Sequence, residues 1–218
     1  MLSLTTAQGF RYSPDVIRGL NIDIPTPIMD QASSMIANIS ECVRDGMEVW
    51  TYVSPEPYGD FLNWRIDNAL FEPRLIFWQA SMLRLSGFLY EGVNAWGDNF
   101  TLIDEAALAS PFLDKRIWAF NSEHPRGVGT KMLTWPGKAG PIASLRLAGI
   151  RDGLEDFGYF ALLRKTADGA RLPSIFANVT SPNDLSQHIS GSRTELGWMM
   201  ARRHEVARMI ERQPCSKA

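Results

Sequence analysis

The sequence predicts an α/β fold of about four strand–helix units, which is half of an eight-stranded (β/α)8 barrel of the TIM type. Three observations predict it. Strand-like and helix-like segments alternate, Gly and Pro mark the junctions between them, and a strand, a turn and a long helix follow one another without a spacer over 129–164. With 218 residues, 45% of them hydrophobic, the chain can bury a sizeable core as a single domain.

The first two units lie in the N-terminal part of the chain. Alternating apolar residues over 20–24 predict a short strand, and a helical repeat over 32–43 closes at Gly46. A second strand is predicted over 47–53. After a Pro-rich loop, Asp67 is a candidate N-cap for the next helix, which carries apolar residues at helical spacing.

The third and fourth units enclose a long irregular stretch. The segment 87–93 predicts a third strand, apolar enough to be buried on both faces. The stretch 94–130 contains at most a short helix over 104–109, and connections of that length are usually lids or binding loops. The segment 132–135 predicts the fourth strand, and Pro141 suits the first turn of the helix that follows.

That last helix has two distinct faces in the sequence. The apolar stripe, predicted to face the core, comprises Leu147, Ile150, Leu154, Phe157 and Ala161. The opposite face carries Arg151, Asp152, Glu155, Asp156 and Tyr159. A metal or catalytic role for these charges is one interpretation. We favour another, in which Arg151 pairs with Glu155 while Arg146 and Asp156 brace neighbouring helices.

Two further features concern the C-terminal part. Gly149 and Gly153 each weaken a helix by about 1 kcal/mol relative to Ala, which predicts the close approach of another backbone. A charge-rich helical segment is predicted over 183–212, with an interruption near Gly191.

Composition excludes several functional classes. The net charge of -2 gives no reason to expect nucleic acid or an anionic membrane as a partner. Cys42 and Cys215 lack the spacing of a disulfide framework or a zinc site, and the three histidines are scattered, so no metal is predicted. There is no GxGxxG or P-loop motif, and no cofactor is predicted. No apolar run is long enough to cross a membrane, and no compartment is indicated.

Aromatic and polar residues cluster at the predicted carboxyl ends of the strands, where barrel enzymes place their sites. They are Trp50, Tyr52, Tyr90, Glu91, Asn94, Trp96 and Trp135. Rings stack on the flat C–H faces of sugars while amides and carboxylates bind hydroxyls, so we predict a carbohydrate ligand. In the alternative, the rings fill a core, and Glu91 pairs with a nearby Arg or is simply solvated on the loop. A catalytic Glu91 would need a second carboxylate at about 5 to 9.5 Å, and Asp98 is the only near neighbour in sequence.

The segment 129–164 resembles the C-terminal end of the glycoside hydrolase family 123 catalytic domain. The matching residues are Pro136, Gly137, Gly140, Pro141, Ser144, Arg146, Arg151, Asp152, Gly153, Glu155 and Asp156. Trp135 and Phe157 stand where the family has Tyr. The segments 46–57 and 86–96 resemble two upstream strands of the family, so the likeness spans about 20–165 and aligns the four units with the second half of the barrel.

The resemblance implies an exo-acting β-N-acetylgalactosaminidase, in which the acetamido oxygen of the substrate attacks the anomeric carbon. An Asp-Glu pair from the first half of the barrel assists this step. The only Asp-Glu dipeptide here, Asp104–Glu105, lies in the other half and is not assigned that role. We therefore expect a partial catalytic domain over 1–165 with a helical extension over 166–218, inactive by itself and without identified catalytic residues.

Three alternatives follow from an isolated half-barrel. The chain could be a non-catalytic carbohydrate-binding or structural remnant of the family. Its open strand edges could also drive self-association between copies. In a homodimeric barrel, each copy would contribute its Glu91.

Overall fold

The computed structural model describes residues 4–6, 13–29, 36–54, 56–57, 61–96, 104–118, 129–176 and 193–212. In chain order, its elements are Leu4–Thr6 (β1), Pro14–Gly19 (α1), Ile24–Thr26 (β2), Ile36–Arg44 (α2), Trp50–Val53 (β3), Glu72–Met82 (α3), Gly87–Tyr90 (β4), Glu105–Ala109 (α4), Lys115–Trp118 (α5), Thr134–Trp135 (β5), Ile142–Ala143 (β6), Leu145–Arg164 (α6), a 3-10 helix at Ala167–Arg171, Leu172–Ile175 (α7) and Arg193–Glu211 (α8). The predicted α/β class is confirmed.

The first four strands run parallel, and the alternation of strands and helices predicts this for β2, β3 and β4, whereas β1 was not predicted. β1 pairs with β2, and β3 pairs with β4 in a register that sets Trp50 opposite Gly87 and Val53 opposite Tyr90. A single parallel bridge between Ile28 and Tyr52 links the chain after β2 to β3.

The prediction of a fourth parallel strand over 132–135 is wrong. Only Thr134–Trp135 is a strand, and it pairs antiparallel with β6. The turn between them contains Gly140 at φ 137°, a conformation that favours glycine, so the chain doubles back on itself. The residues before β5 bond instead to the chain that follows β4, where Asn94 and Met132 form an antiparallel bridge.

Two strand boundaries also differ from the prediction. The strand predicted over 20–24 is instead β2, which begins at Ile24, because Asn21 at φ 53° reverses the chain after α1. The third strand ends at Tyr90, and all its residues are half-buried rather than buried on both faces. Within the described part of the chain β4 pairs with β3 alone, and self-association through that edge stays a prediction.

Asp67 is not the N-cap of α3, which begins at Glu72. The Glu72 carboxylate accepts hydrogen bonds from the backbone N–H groups of Asn63 and Ala69 and from the Asn68 side chain, at 3.2, 3.1 and 2.5 Å. These bonds hold the chain before the helix in turns, and so they delay its start.

Two helix ends follow the sequence prediction. α2 ends before Gly46, which adopts φ 79°. The short helix expected over 104–109 is α4, whose N-cap is Asp104. Helix α6, in contrast, begins after Ser144 rather than at Pro141, because the Ser144 hydroxyl accepts the N–H of Leu147.

The predicted apolar stripe of α6 is not its most buried face. The buried residues are Arg146, Ile150, Gly153, Asp156, Phe160 and Leu163, whereas Leu154 is 54% exposed. Asp156, assigned to the polar face, is fully buried. On the same buried face, Gly149 and Gly153 lie against α3 and let its backbone come close, as predicted.

Replacing Gly153 with Ala should destabilise the protein. A Cβ there would lie 2.5 Å from Cδ2 of Phe77 and 2.8 Å from the backbone oxygen of Arg74. We expect a loss of about 1–3 kcal/mol in the free energy of unfolding from overpacking, which exceeds the helix-propensity gain of about 1 kcal/mol. Gly158→Ala in the same helix meets open space and should stabilise. Urea unfolding of both variants tests this, and equal shifts would contradict it.

The C-terminal helix α8 packs on α6, where Arg203 bonds to Asp156 at 2.7 Å. The rings of Trp78, Phe160, Phe176 and Trp198 fill the core between these helices and α3. The predicted interruption near Gly191 lies outside the described residues. Among the described helices, none has the length and apolarity that a membrane span requires.

Candidate functional site

Two chain segments are joined beyond the carboxyl end of β4. The backbone N–H groups of Leu133 and Thr134 donate to the oxygen of Val93 at 2.8 and 3.0 Å, and the N–H of Ala95 donates to the oxygen of Lys131 at 3.0 Å. The segment 91–96 therefore lies alongside 131–135. This arrangement brings together five of the seven predicted site residues.

Glu91 follows β4 directly and pairs with Lys131. Its Oε2 lies 2.5 Å from the Lys131 Nζ, and its side chain is 41% exposed. The interpretation with a basic partner is therefore the one that the structure supports, although the partner is Lys rather than Arg. Asp98, its nearest acidic neighbour in sequence, lies outside the described residues.

Tyr90 supports the loop that carries Lys131. Its hydroxyl accepts the backbone N–H of Lys131 at 2.8 Å, and its ring lies 4.7 Å from the ring of Trp64. Burial raises the pKa of Tyr90 to about 12. The phenol therefore stays neutral at physiological pH and is unsuited to act as a general base.

Trp96 and Trp135 form the aromatic part of the cluster. The Nε1 of Trp96 donates to the backbone oxygen of Thr134 at 2.7 Å, which fixes the indole. Both rings flank a small buried core of Ala107, Ile117 and Met132. Each indole is half-buried, and the ring of Trp135 also contacts that of Phe112, with 5.0 Å between the ring centroids. Asn94 is exposed beside them.

Trp50 and Tyr52 do not join this cluster. Trp50 begins β3 rather than ending it, which corrects the prediction, and its indole lies across Gly87 at the amino end of β4. Its Nε1 is 3.3 Å from the carboxylate of Glu48. Tyr52 lies within the strand and is 7% exposed. Both rings were predicted to contact a sugar. Because β3 begins at Trp50 rather than at 47, Trp50 lies at the amino end of the strand, away from the cluster.

Arg146 holds together three chain segments beside the site, a role that no sequence motif indicated. It donates to the backbone oxygens of Trp64 at 2.5 Å and Gly129 at 3.2 Å, and also to that of Met132. The side chain is 4% exposed, and burial lowers the pKa of the guanidinium. Arg146 thus braces loops rather than the helices that we expected. The sequence signal for this role was its position in the first turn of α6, next to the loop that precedes the helix.

The Asp104–Glu105 dipeptide has a structural role. Asp104 caps α4 through the N–H of Ala107 at 2.8 Å and pairs with Arg116 at 2.9 Å. The hydrogen bond from Arg116 lowers the pKa of Asp104, so the carboxylate remains ionised and paired with Arg116.

The charges on α6 act as braces. Arg151 and Glu155 approach to 3.9 Å as predicted, although Asp152 lies closer to Arg151 at 2.7 Å. Asp156 binds Arg74 of α3 and Arg203 of α8, so the prediction that it braces neighbouring helices is confirmed. Across the described residues, no group of three His, Cys, Asp or Glu side chains could hold a metal ion.

Comparison with known proteins identifies a family. The family model described as the catalytic domain of glycoside hydrolase 123 matches residues 3–163. This match extends further towards the N-terminus than the resemblance found in the sequence motifs. No curated protein matches the chain.

Proposed function

This chain belongs to glycoside hydrolase family 123, and on that premise we propose that it takes part in the hydrolysis of terminal β-linked N-acetylhexosamine, with β-N-acetylgalactosaminides as substrates. In this proposal the parallel strands β2, β3 and β4 belong to the second half of a TIM-type barrel. The chain supplies one wall of the sugar pocket.

The cluster beyond β4 carries the proposal. It combines two half-buried indoles, Trp96 and Trp135, with the exposed amide of Asn94 and the ion pair of Glu91 and Lys131. Flat apolar faces beside charged and amide groups suit a pyranose ring, which presents C–H patches and hydroxyls together. Hydrogen bonds from Arg146 and to Tyr90 hold the backbone beside the cluster, so its geometry is set before a ligand binds.

The proposed chemistry needs groups beyond this cluster. In substrate-assisted hydrolysis the acetamido oxygen attacks the anomeric carbon, the glycosidic oxygen leaves with a proton from a carboxylic acid, and water then opens the cyclic intermediate. Glu91 is tied to Lys131 and Asp104 to Arg116, so neither is free for the acid role. We assign the Asp-Glu pair to polypeptide outside these 218 residues.

The test compares this chain with a longer polypeptide that includes any in-frame upstream coding sequence. Both are assayed for release of p-nitrophenol from the β-glycosides of N-acetylgalactosamine, N-acetylglucosamine and galactose. We expect activity only in the longer polypeptide and only on the acetamido sugars. Activity on galactoside would contradict substrate assistance. Activity of this chain alone would contradict the assignment of the catalytic pair.

A matched pair of variants tests the pocket wall in the active polypeptide. Trp135→Ala should lower kcat/KM about three- to tenfold through loss of a stacking surface. Leu162→Ala removes a side chain that is 52% exposed near the far end of α6, and it should leave kcat/KM unchanged. Equal effects of the two substitutions would remove Trp135 from the site.

A non-catalytic carbohydrate-binding protein is the second candidate. The engagement of Glu91 and Asp104 in ion pairs favours it. Calorimetric binding of N-acetylgalactosamine that depends on Trp135, without turnover by either polypeptide, would establish this alternative.

A further inference from the structure

We propose that a second pocket, at the amino end of β4, binds an oxyanion carried on an apolar group, such as an aromatic carboxylate. This arginine pocket lies between the end of α3 and the chain that follows α6. Its polar side holds Arg84 and Arg164, and Met82, Leu172 and Phe176 contribute apolar surface. Its volume is 510 Å³, within the range of about 300–1,000 Å³ typical of small-molecule sites.

Among the described residues, no carboxylate lines this pocket beside its two arginines. Arg164 donates to the backbone oxygen and hydroxyl of Ser81 at 2.5 and 2.7 Å, bonds to neutral groups that leave its charge uncompensated. Burial and the nearby charge of Arg84 both lower the pKa of Arg164. Within the described part of the chain, neither arginine forms an ion pair, and Asp168 of the adjacent 3-10 helix pairs with Arg171 instead.

Two neighbouring cations in a partly buried pocket attract an anion. A bound oxyanion would replace repulsion between the arginines with charge-assisted hydrogen bonds, which are about twice as strong as neutral ones. Arg84 holds φ 56°, directly after α3, and its exposed side chain is free to turn towards such a ligand. The apolar surface beside it would cover the rest of the ligand.

This pocket is separate from the proposed sugar site. Arg84 precedes β4, whereas Glu91 follows it, so the two sites lie at opposite ends of the strand. The inference is therefore independent of the glycosidase proposal, and the absence of hydrolysis would not affect it.

Calorimetry on the full chain at constant ionic strength tests the inference, with benzoate as the probe and benzyl alcohol as its neutral counterpart. We expect benzoate to bind and benzyl alcohol not to bind. Benzoate should also shift the NMR amide signals of Gly169 and Ala170, which line the pocket. Arg84→Gln should weaken benzoate binding about tenfold or more. The control is Arg44→Gln, which replaces an exposed arginine on α2 and should not change affinity.

Three results would overturn the inference. Equal binding of benzyl alcohol would show an apolar cavity without anion recognition. Unchanged affinity in Arg84→Gln would place the benzoate elsewhere. Absence of benzoate binding would remove the proposed ligand class, even if inorganic sulfate bound, because the apolar surface would then have no role.

Discussion

Asp156→Asn is expected to lower the free energy of unfolding by about 3–5 kcal/mol, the range for breaking a buried ion pair by removing one partner. The Asp156 carboxylate is fully buried. It accepts bonds from Arg74 at 2.6 and 2.9 Å, from Arg203 at 2.7 Å and from the Trp78 indole at 2.8 Å. The amide keeps the shape but not the charge, so two largely buried guanidinium groups would lose their closest counterion. Among the described residues, Arg74 would keep only Asp152 at 4.0 Å, and Arg203 only Glu155 at 3.9 Å.

Chemical denaturation followed by tryptophan fluorescence measures this change. The matched control is Asp152→Asn, one helical turn away, whose side chain is 36% exposed, pairs with Arg151 at 2.7 Å and reaches Arg74 only at 4.0 Å. Surface pairs of that kind contribute about 0–1 kcal/mol. A loss at Asp156 no larger than that at Asp152 would mean that the three helices α3, α6 and α8 do not depend on this carboxylate.

Arg146→Met should cost about 3 kcal/mol or more, because several buried carbonyl oxygens lose their donors at once. The substitution roughly keeps the volume of the side chain while removing every donor. We expect the loop at 129–133 to loosen, because Arg146 holds Gly129 and Met132 by their backbone oxygens. Lysine carries three donors, but its compact ammonium group lacks the fork that spans separate carbonyls, so Arg146→Lys should recover only part of the loss.

Hydrogen exchange distinguishes a local loosening of the loop from a loss of global stability. The amides of Leu133 and Thr134, which bond to Val93, should exchange faster in Arg146→Met than the change in global stability explains. Arg151→Met, at a side chain that is 69% exposed in the same helix, should change stability by less than about 0.5 kcal/mol. Equal protection of those amides in both variants would contradict a bracing role.

Local signals predict several helix ends and one close helix contact. Gly46 ends α2, Asp104 caps α4, and the spacing of Gly149 and Gly153 indicates the approach of α3. Each of these features depends on conformational freedom or capping within a few residues. The parallel order of β2, β3 and β4 also follows from the alternation of elements.

Features set by distant contacts were not predictable. Helix α6 rotates so that Asp156 is buried and Leu154 exposed, because partners on two other helices satisfy the carboxylate. Apolar periodicity contains no information about such partners. The same limit applies to the site, where Trp50 belongs to the opposite end of its strand and Arg146 recognises loops that are distant in sequence.

Arg146 holds the backbone of the proposed site, whereas other side chains would contact the ligand. Each hydrogen bond from Arg146 goes to a main-chain oxygen, so these bonds do not depend on the side chains of the loops that Arg146 holds. Under the proposed function, substitutions at Lys131 and Trp135 would change the side chains that face the ligand, while the hydrogen bonds of Arg146 remain. Lys131 adopts φ 61° and Trp135 packs on the buried cluster around Met132, so only some side chains fit there. An insertion between the two positions would displace the Met132 carbonyl that Arg146 binds.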